Sequence, residues 1–555
     1  MYFTLALSAA TAGTCAALTG AARDADPRMM PLPGPAQVAW QAPDGRAAVL
    51  HWGQPRAGVT AGAGGGSSAG RSQAGSIWAE AAAVRARTGL ARVDPVYLAE
   101  VPGAVVLSDR ASWAAAVTGR LRDFDPALAG AFLSLGYPLG GVTPFRGVRA
   151  LHGGRIVRVA GGRFRVRDDH DRTGHQEHGP GPDGVAGTLT EAVRPLGEAE
   201  LSLTGGKDSR LVAAALVAAG VPFRARTHGF ASHPDVIVAG MIAGRLGLEH
   251  TVTEPAAPGG LGPAEVLGRI RATVLVSDGM LSAFENVGRP DQPPASGPVQ
   301  AGGHGGELLR GGYAQPAWGR RWSAAAAVEL FRRMTTRRVG LLRPAAARSY
   351  LAGLTPSAAR LARGPLRGLD DFYLANRAGR WSAAARQAYL IRAPLAQPLF
   401  ADPVVRAARA VPLRDRLGDR LHRDVLARLC PGLLDIPLAG KPWQGAASTP
   451  VTVLTGSGDG PDWRRDLSPA LADFLRGYVL DSGALFTMVS RPAAERVLSS
   501  PRADPQAAWA LATLAALISG DWLDARETDP AALVPVSRGR TGSPPARSTA
   551  PPPRG

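Results

Sequence analysis

Lysine is almost missing from this chain: of 63 basic side chains, two are lysine, Lys207 and Lys441, and the rest are arginine. Arginine serves as well as lysine on most surfaces. Unless the two are chance survivors, they mark sites that need a compact ammonium rather than a planar fork. Cysteine is as scarce. Cys15 and Cys430 cannot build a disulfide framework, and neither belongs to a C-x-x-C pair, which weakens metal and redox readings and suits a reducing cytoplasm. Aromatic residues make up 6% and do not interleave with basic ones. The formal charge of +18 is therefore read as a compositional bias with scattered arginines, and no nucleic-acid partner is expected. Long hydrophobic runs are lacking too. Residues 1–22 are apolar but have no basic leader and are interrupted by threonines, so they read as a strand and turn. The apolar run of fourteen at 507–520 suits a buried terminal helix, and no membrane partner is expected.

What is present organises around Leu201-Ser-Leu-Thr-Gly-Gly-Lys-Asp-Ser-Arg210. A short apolar stretch leads in, and Leu211-Val-Ala-Ala-Ala-Leu-Val-Ala-Ala219 leads out as a strong helix former closed by Gly220 and Pro222. This predicts strand, glycine turn and helix start. Gly205 and Gly206 would let backbone N–H groups face an anion, and the helix beginning near Ser209 adds its positive dipole end. Thr204 and Ser209 offer hydroxyls, Lys207 an ammonium and Asp208 a carboxylate for Mg²⁺. An ordinary strand-to-helix turn is the plainer alternative.

Thr204-Gly-Gly-Lys-Asp-Ser209 resembles the S-G-G-x-D-S loop of the N-type ATP pyrophosphatases. Ala301-Gly-Gly-His-Gly-Gly-Glu-Leu-Leu-Arg-Gly-Gly-Tyr313 is similar to the S-G-E-G-x-D-E-x-F-G-G-Y segment of the asparagine synthetase family, which includes β-lactam synthetase and lasso-peptide macrolactam synthetases. With the Gly-Gly-Tyr ends matched, His304 stands where those enzymes carry a glutamate and Glu307 where they carry a metal-binding aspartate. Ile436-Pro-Leu-Ala-Gly-Lys-Pro-Trp443 resembles the family segment whose lysine, here Lys441, contacts phosphate and the charge that develops in the second step. Pro398 to Arg406 resembles the family's P-F-L-D-x-x-V segment, and Leu421 to Leu426 its following helix.

The resemblance implies an α/β fold of two parts. Residues 1–166 would form an Ntn-hydrolase-like, β-rich α+β domain similar to a class II glutaminase. Residues 186–535 would form an ATP-pyrophosphatase domain, adenine nucleotide alpha hydrolase-like, with a parallel sheet and carboxyl-terminal helices. A linker at 167–185, containing His170, His175 and His178, and a disordered tail at 536–555 complete the chain. Hairpin signals at 36–52 and 93–108, an alanine-rich helix through Val117 and a Gly/Ser-rich loop at 57–75 fill the first part. The family's glutaminase has a cysteine after the initiator methionine; this chain has Tyr2, and internal Cys15 has no free amine to replace it. No ammonia-generating activity is expected.

Strands are expected at 223–228 and 250–253, with a helix at 234–246 between them. In a parallel sheet, ligands bind at the carboxyl ends of strands, so Thr227 and Gly229 are expected to border the nucleotide base, with Gly302 and Gly303 also at the nucleotide. Asp235 reads as a first-turn helix residue. Asp278 and Glu285, seven apart, either line the acceptor pocket or lie on a solvated helix face.

The implied chemistry is ATP-dependent amide formation: a carboxylate is coupled to AMP with release of pyrophosphate, and an amine then attacks the acyl-adenylate. Asp208 and Glu307 would hold Mg²⁺, Lys441 would stabilise the oxyanion, and His304 would take the amine's proton unless it merely hydrogen-bonds within its glycine loop. The partners implied are a small-molecule or peptide carboxylate and an amine, and a homodimer is compatible with the resemblance. Another ATP pyrophosphatase and a non-catalytic nucleotide-binding relative are the rival readings.

Overall fold

The computed structural model describes residues 2–24, 37–42, 44–53, 76–80, 83–169, 181–254, 261–287, 297–317, 323–390, 393–444, 452–454 and 462–523. The fold is mixed α/β, with antiparallel sheets in the first third and a parallel sheet in the middle. Ten strands build the first third: β1 (Tyr2–Ala9), β2 (Gln37–Gln41), β3 (Ala47–Gly53), β4 (Ser76–Glu80), β5 (Ala83–Arg87), β6 (Tyr97–Val101), β7 (Ala104–Ser108), β8 (Val148–Ala150), β9 (Arg155–Ala160) and β10 (Arg163–Asp168). They form a six-stranded sheet ordered β2-β3-β1-β7-β6-β8 and a four-stranded sheet ordered β10-β9-β5-β4. Period-two alternation splits their side chains between two cores. Leu5, Leu7 and Ala9 of β1 face the helices, whereas Ala6 joins Val84, Ala86, Val157 and Val159 between the sheets.

Helices α1 (Ala12–Asp24), α2 (Ala111–Val117) and α3 (Ala127–Leu135) join this part. The expected turn after the first strand is thus α1, an alanine-rich segment whose helix propensity outweighs its threonines. Both hairpins form, at β2–β3 and β6–β7. Within 167–185, Arg167 and Asp168 continue β10 and residues from Pro182 open α4 (Pro182–Val193), so the expected linker is shorter at both ends. His170, His175 and His178, the 57–75 loop and the 536–555 tail lie outside the described residues.

The parallel sheet is made by β11 (Ala199–Ser202), β12 (Phe223–His228), β13 (His250–Thr253), β14 (Val299–Ala301) and β15 (Leu395–Ala396), in the order β13-β12-β11-β14-β15. Every pair is parallel. Crossover helices α5 (Lys207–Ala218) and α6 (Pro234–Leu246) follow β11 and β12, and α7 (Pro263–Ser277) follows β13. Leu211 to Leu216 are fully buried against Leu201, Leu203 and Ile242, so the apolar run expected to be a helix is the core of this layer. Strand β11 is central, and the loop after it opens at the sheet's carboxyl edge.

Beyond Tyr313 the described chain is mostly helical. Its terminal helix Pro505–Ser519 is buried, as the apolar run predicts, in the same core as Trp113 and Phe132 of the first third. Polar ties reinforce that junction. Arg110, wholly buried, donates to Asp278, whose carboxylate also accepts from Ala111 N (2.8 Å) and Ser112 Oγ (2.7 Å). Asp278 and Glu285 are therefore not on one helix face: α7 ends at Ser277, Asp278 is left-handed (φ 54°), and Glu285 sits in a separate 3₁₀ turn. Asp278 belongs to the junction, not to a pocket. Among the described residues, no helix is long and apolar enough to cross a membrane.

Candidate functional site

The segment after β11 turns sharply and enters α5 at Gly206, an extended N-cap without a side-chain cap. The first-turn N–H groups of α5 are thereby left without a capping acceptor, at the positive end of its dipole. The glycines are used differently from the expected anion nest. Gly205 N donates to Asp235 Oδ1 (2.9 Å) and Gly206 N to Thr204 Oγ1 (3.2 Å), so these two N–H groups are spent inside the protein. Asp235 is the first-turn residue of α6 and also places a carboxylate on the loop. Gly205 is required by space: a Cβ there would lie 2.6 Å from Ala439 Cβ and 2.8 Å from Val238 Cβ. Ser209 Oγ accepts from Thr204 N (3.1 Å) and closes the turn.

The second glycine segment, after β14, presses on the first. A Cβ on Gly303 would lie 2.5 Å from Ser209 N, and one on Gly306 would strike the Asp208 carboxylate. Gly302, buried, donates its N–H to Ala396 O (3.1 Å). The two motifs, about a hundred residues apart, thus meet at the carboxyl edge of β11 and β14. Glu307 accepts from Tyr373 Oη (2.8 Å), and Arg310 Nη2 donates to Asp208 Oδ2 (2.7 Å). His304 is exposed at the rim, its ring 6.5 Å from that of Trp381, over which the Arg377 guanidinium lies at 3.4 Å. Tyr373, Arg377 and Trp381 come from one π-helical stretch, Tyr373–Ser382. Such stretches occur often at functional sites.

Burial sets the electrostatics. It pushes the Asp208 pKa up to about 7, with Glu307 and Asp419 adding to the push and Arg310 and Lys207 opposing it. Burial and Arg310 push His422 down to about 3, so its imidazole is neutral. His422 Nε2 donates to Lys207 O (3.1 Å), which leaves Nδ1 as an acceptor 3.6 Å from Asp208 Oδ1. Both of these buried atoms lack a hydrogen-bond donor. Although His304 reaches solvent at the rim, the protein packed around its ring shields it in part from water, and this partial desolvation lowers its pKa, with Arg377 acting in the same direction and Glu307 against. For Glu307, burial works the other way but is outweighed by Arg310, a backbone hydrogen bond, Tyr373 and Arg377, which hold it low and ionised.

The remaining expected residues take other places. Thr227 is buried, donating Oγ1 to Leu203 O (2.8 Å) and meeting His250 Nε2 (2.8 Å); its side chain pins three strands together and does not face a ligand. Gly229 N donates to Thr253 O (3.1 Å) at the same sheet edge. Lys207 Nζ donates to Asp419 Oδ2 (2.6 Å) and Pro442 O (2.8 Å), so two of its N–H groups are spent inside the protein. Lys441 is exposed, and its side chain makes no hydrogen bond or ion pair among the described residues. Its segment is fastened to the loop by Ala439 N, which donates to Gly205 O (3.1 Å).

Arg310, Arg377, Tyr373, Asp419 and His422 are part of this cluster without having been singled out in the sequence. Arg310 and His422 carried a local signal, the first by its place inside the second glycine motif and the second by its place in the Leu421 to Leu426 segment.

A scan against family models matches none, and a search of the curated proteins returns no match. The described residues hold no cluster of three or more His, Cys, Asp or Glu side chains arranged for a metal ion. Mg²⁺ at nucleotide sites commonly uses one or two carboxylates and completes its shell with phosphate and water. The donorless Asp208 Oδ1, beside the ionised Glu307, fits that lesser demand.

Proposed function

We propose that the chain is an AMP-forming, ATP-dependent carbon–nitrogen ligase that adenylates a carboxylate and passes the acyl group to an amine or ammonia, without glutaminase activity. One observation carries this reading: the Thr204 to Ser209 loop ends the central strand of a parallel sheet, opens an uncapped helix, and is packed against a second glycine segment bearing Glu307 and His304. The strand order, with β11 flanked by β12 and β14, favours an ATP-pyrophosphatase-type domain. The antiparallel sheets before it favour an Ntn-hydrolase-like partner domain.

In this reading the uncapped N-terminus of α5 binds the phosphates of ATP, and Asp208 and Glu307 hold Mg²⁺. The metal, when bound, offsets phosphate charge. The substrate carboxylate oxygen attacks the α-phosphorus, the bond to the β-phosphate oxygen breaks, and pyrophosphate leaves. An amine then attacks the acyl carbon, its proton passes to neutral His304, and AMP departs with the carboxylate oxygen. Lys441, exposed beside the loop, faces the negative charge formed on amine attack. His304 has the lowered pKa that a base needs to be unprotonated at neutral pH.

The test is exchange of labelled pyrophosphate into ATP across a panel of amino acids and short peptides. Carboxylate-dependent exchange, with no glutamate released from glutamine, is expected. ATP binding with no exchange for any acid would favour a non-catalytic nucleotide-binding protein, a reading that the Arg310–Asp208 ion pair keeps open.

A further inference from the structure

The strap that carries Lys441 runs beside the first turn of α5 and is fastened there at three places. Arg210, buried in α5, donates to Leu433 O (2.9 Å), Ile436 O (2.8 Å) and Pro437 O (2.5 Å). Ala439 N donates to Gly205 O (3.1 Å). The third fastening is Lys207 Nζ, which donates to Pro442 O (2.8 Å) and to Asp419 Oδ2 (2.6 Å). The same Oδ2 accepts from Gln444 N (2.8 Å), and Oδ1 accepts from Gln315 Nε2 (3.2 Å). Lys441 lies between the second and third of these anchors.

An ammonium has three N–H donors, and Lys207 spends two of them on this contact. The Lys207 side chain is only 9% exposed, and its Nζ stands 5.1 Å from the Trp443 ring centroid. Asp419 is wholly inaccessible and left-handed (φ 58°), a conformation that Asp and Asn tolerate. A buried carboxylate is costly unless paired, and this one is satisfied by Lys207 and by the strap's own backbone. A planar guanidinium is bulkier than an ammonium and carries further N–H donors that this enclosed position would have to satisfy, a reason for lysine here in an arginine-rich chain.

We propose that Lys207 and Asp419 form a positioning clamp that seats Lys441 beside the phosphate loop, so that the chain's two lysines work as one unit. Lys207 acts by holding residues 442–444, not by touching nucleotide. What Lys441 does once seated rests on the ligase reading; the clamp itself does not.

The full-length protein labelled with ¹⁵N-lysine gives two lysine amide resonances, which makes the clamp directly readable. Asp419→Asn keeps the left-handed residue and its volume but turns one acceptor into an N–H donor. The Lys441 resonance is expected to move, and amide exchange at Ala439 to Gln444 to quicken on the order of ten- to a hundred-fold, while β12 keeps its protection. Lys207→Met, which removes the other partner, should give the same signature if Asp419→Asn folds poorly. Unchanged Lys441 resonance and exchange in both variants overturns the clamp. In turnover, kcat for amide formation should fall with the KM for ATP little changed; a raised KM with kcat intact in Lys207→Met would place Lys207 on the nucleotide and overturn it too. If the wild type shows no pyrophosphate exchange with any acid, the ligase reading fails, and resonance and exchange data alone decide the clamp.

Discussion

His304 and Arg377 show how one side chain's chemistry is set by neighbours far away in sequence. Partial shielding of the ring from water favours the neutral imidazole, and Arg377 adds to this because a second positive charge beside an imidazolium is unfavourable. If His304 is the base, the amide-forming rate must fall as pH drops through its folded pKa, which lies below the usual value of about 6.5. Replacing Arg377 with Met removes a positive charge that lowers the pKa, so the acid limb should shift to higher pH. A pH–rate profile of the two proteins checks this, and an identical limb in both would remove His304 from the proton transfer. His304 was legible from the sequence because it interrupts a glycine motif. Arg377 was not, since nothing local separates it from the rest of 63 basic residues.

At the scale of elements, the sequence was informative wherever structure is local. The ends of β12, α6 and β13 fall where Pro234, the apolar periodicity and the flanking turns put them. It was uninformative about what strands do to one another. Thr227 sits at the expected strand end, but its hydroxyl is spent on Leu203 O and His250. Thr227→Val should therefore lower stability by about 1–2 kcal/mol, the cost of leaving buried partners unmet, and leave ATP affinity within about two-fold. Melting and calorimetry on one preparation decide it; a large affinity loss with unchanged stability would return Thr227 to the base pocket. The π-helical Tyr373–Ser382 had no sequence signature either, and its side chains make contacts on both sides. Tyr373 reaches Glu307, while Arg380 on the other side donates to Val142 O.

Across the whole molecule, the antiparallel sheets and the late helices share one hydrophobic core, so the two parts are expected to unfold together. Arg110 and Asp278 lie at that junction with neither side chain exposed to solvent. Asp278→Ala should cost about 3–5 kcal/mol, because it strands a buried guanidinium. A fall in melting temperature without a separate early transition is expected; two resolved transitions would mean that the two parts fold independently. The spacing of Asp278 and Glu285 suggested a shared helix face, but Asp278 itself, left-handed (φ 54°), caps the helix, and its burial with Arg110 could be read only from the assembled chain.

The ligase reading stands or falls on whether the loop after β11 holds nucleotide phosphate. Titrating ATP–Mg²⁺ calorimetrically into the wild type, Asp208→Ala and Gly303→Ala tests this most directly, since the first variant removes a carboxylate and the second drives a methyl group toward Ser209 N. Binding by the wild type, weakened about ten-fold or more in both variants, is expected from the loss of a charged partner and from overpacking at the turn. Absence of binding in the wild type, or equal affinity in all three proteins, would contradict the assignment of the loop.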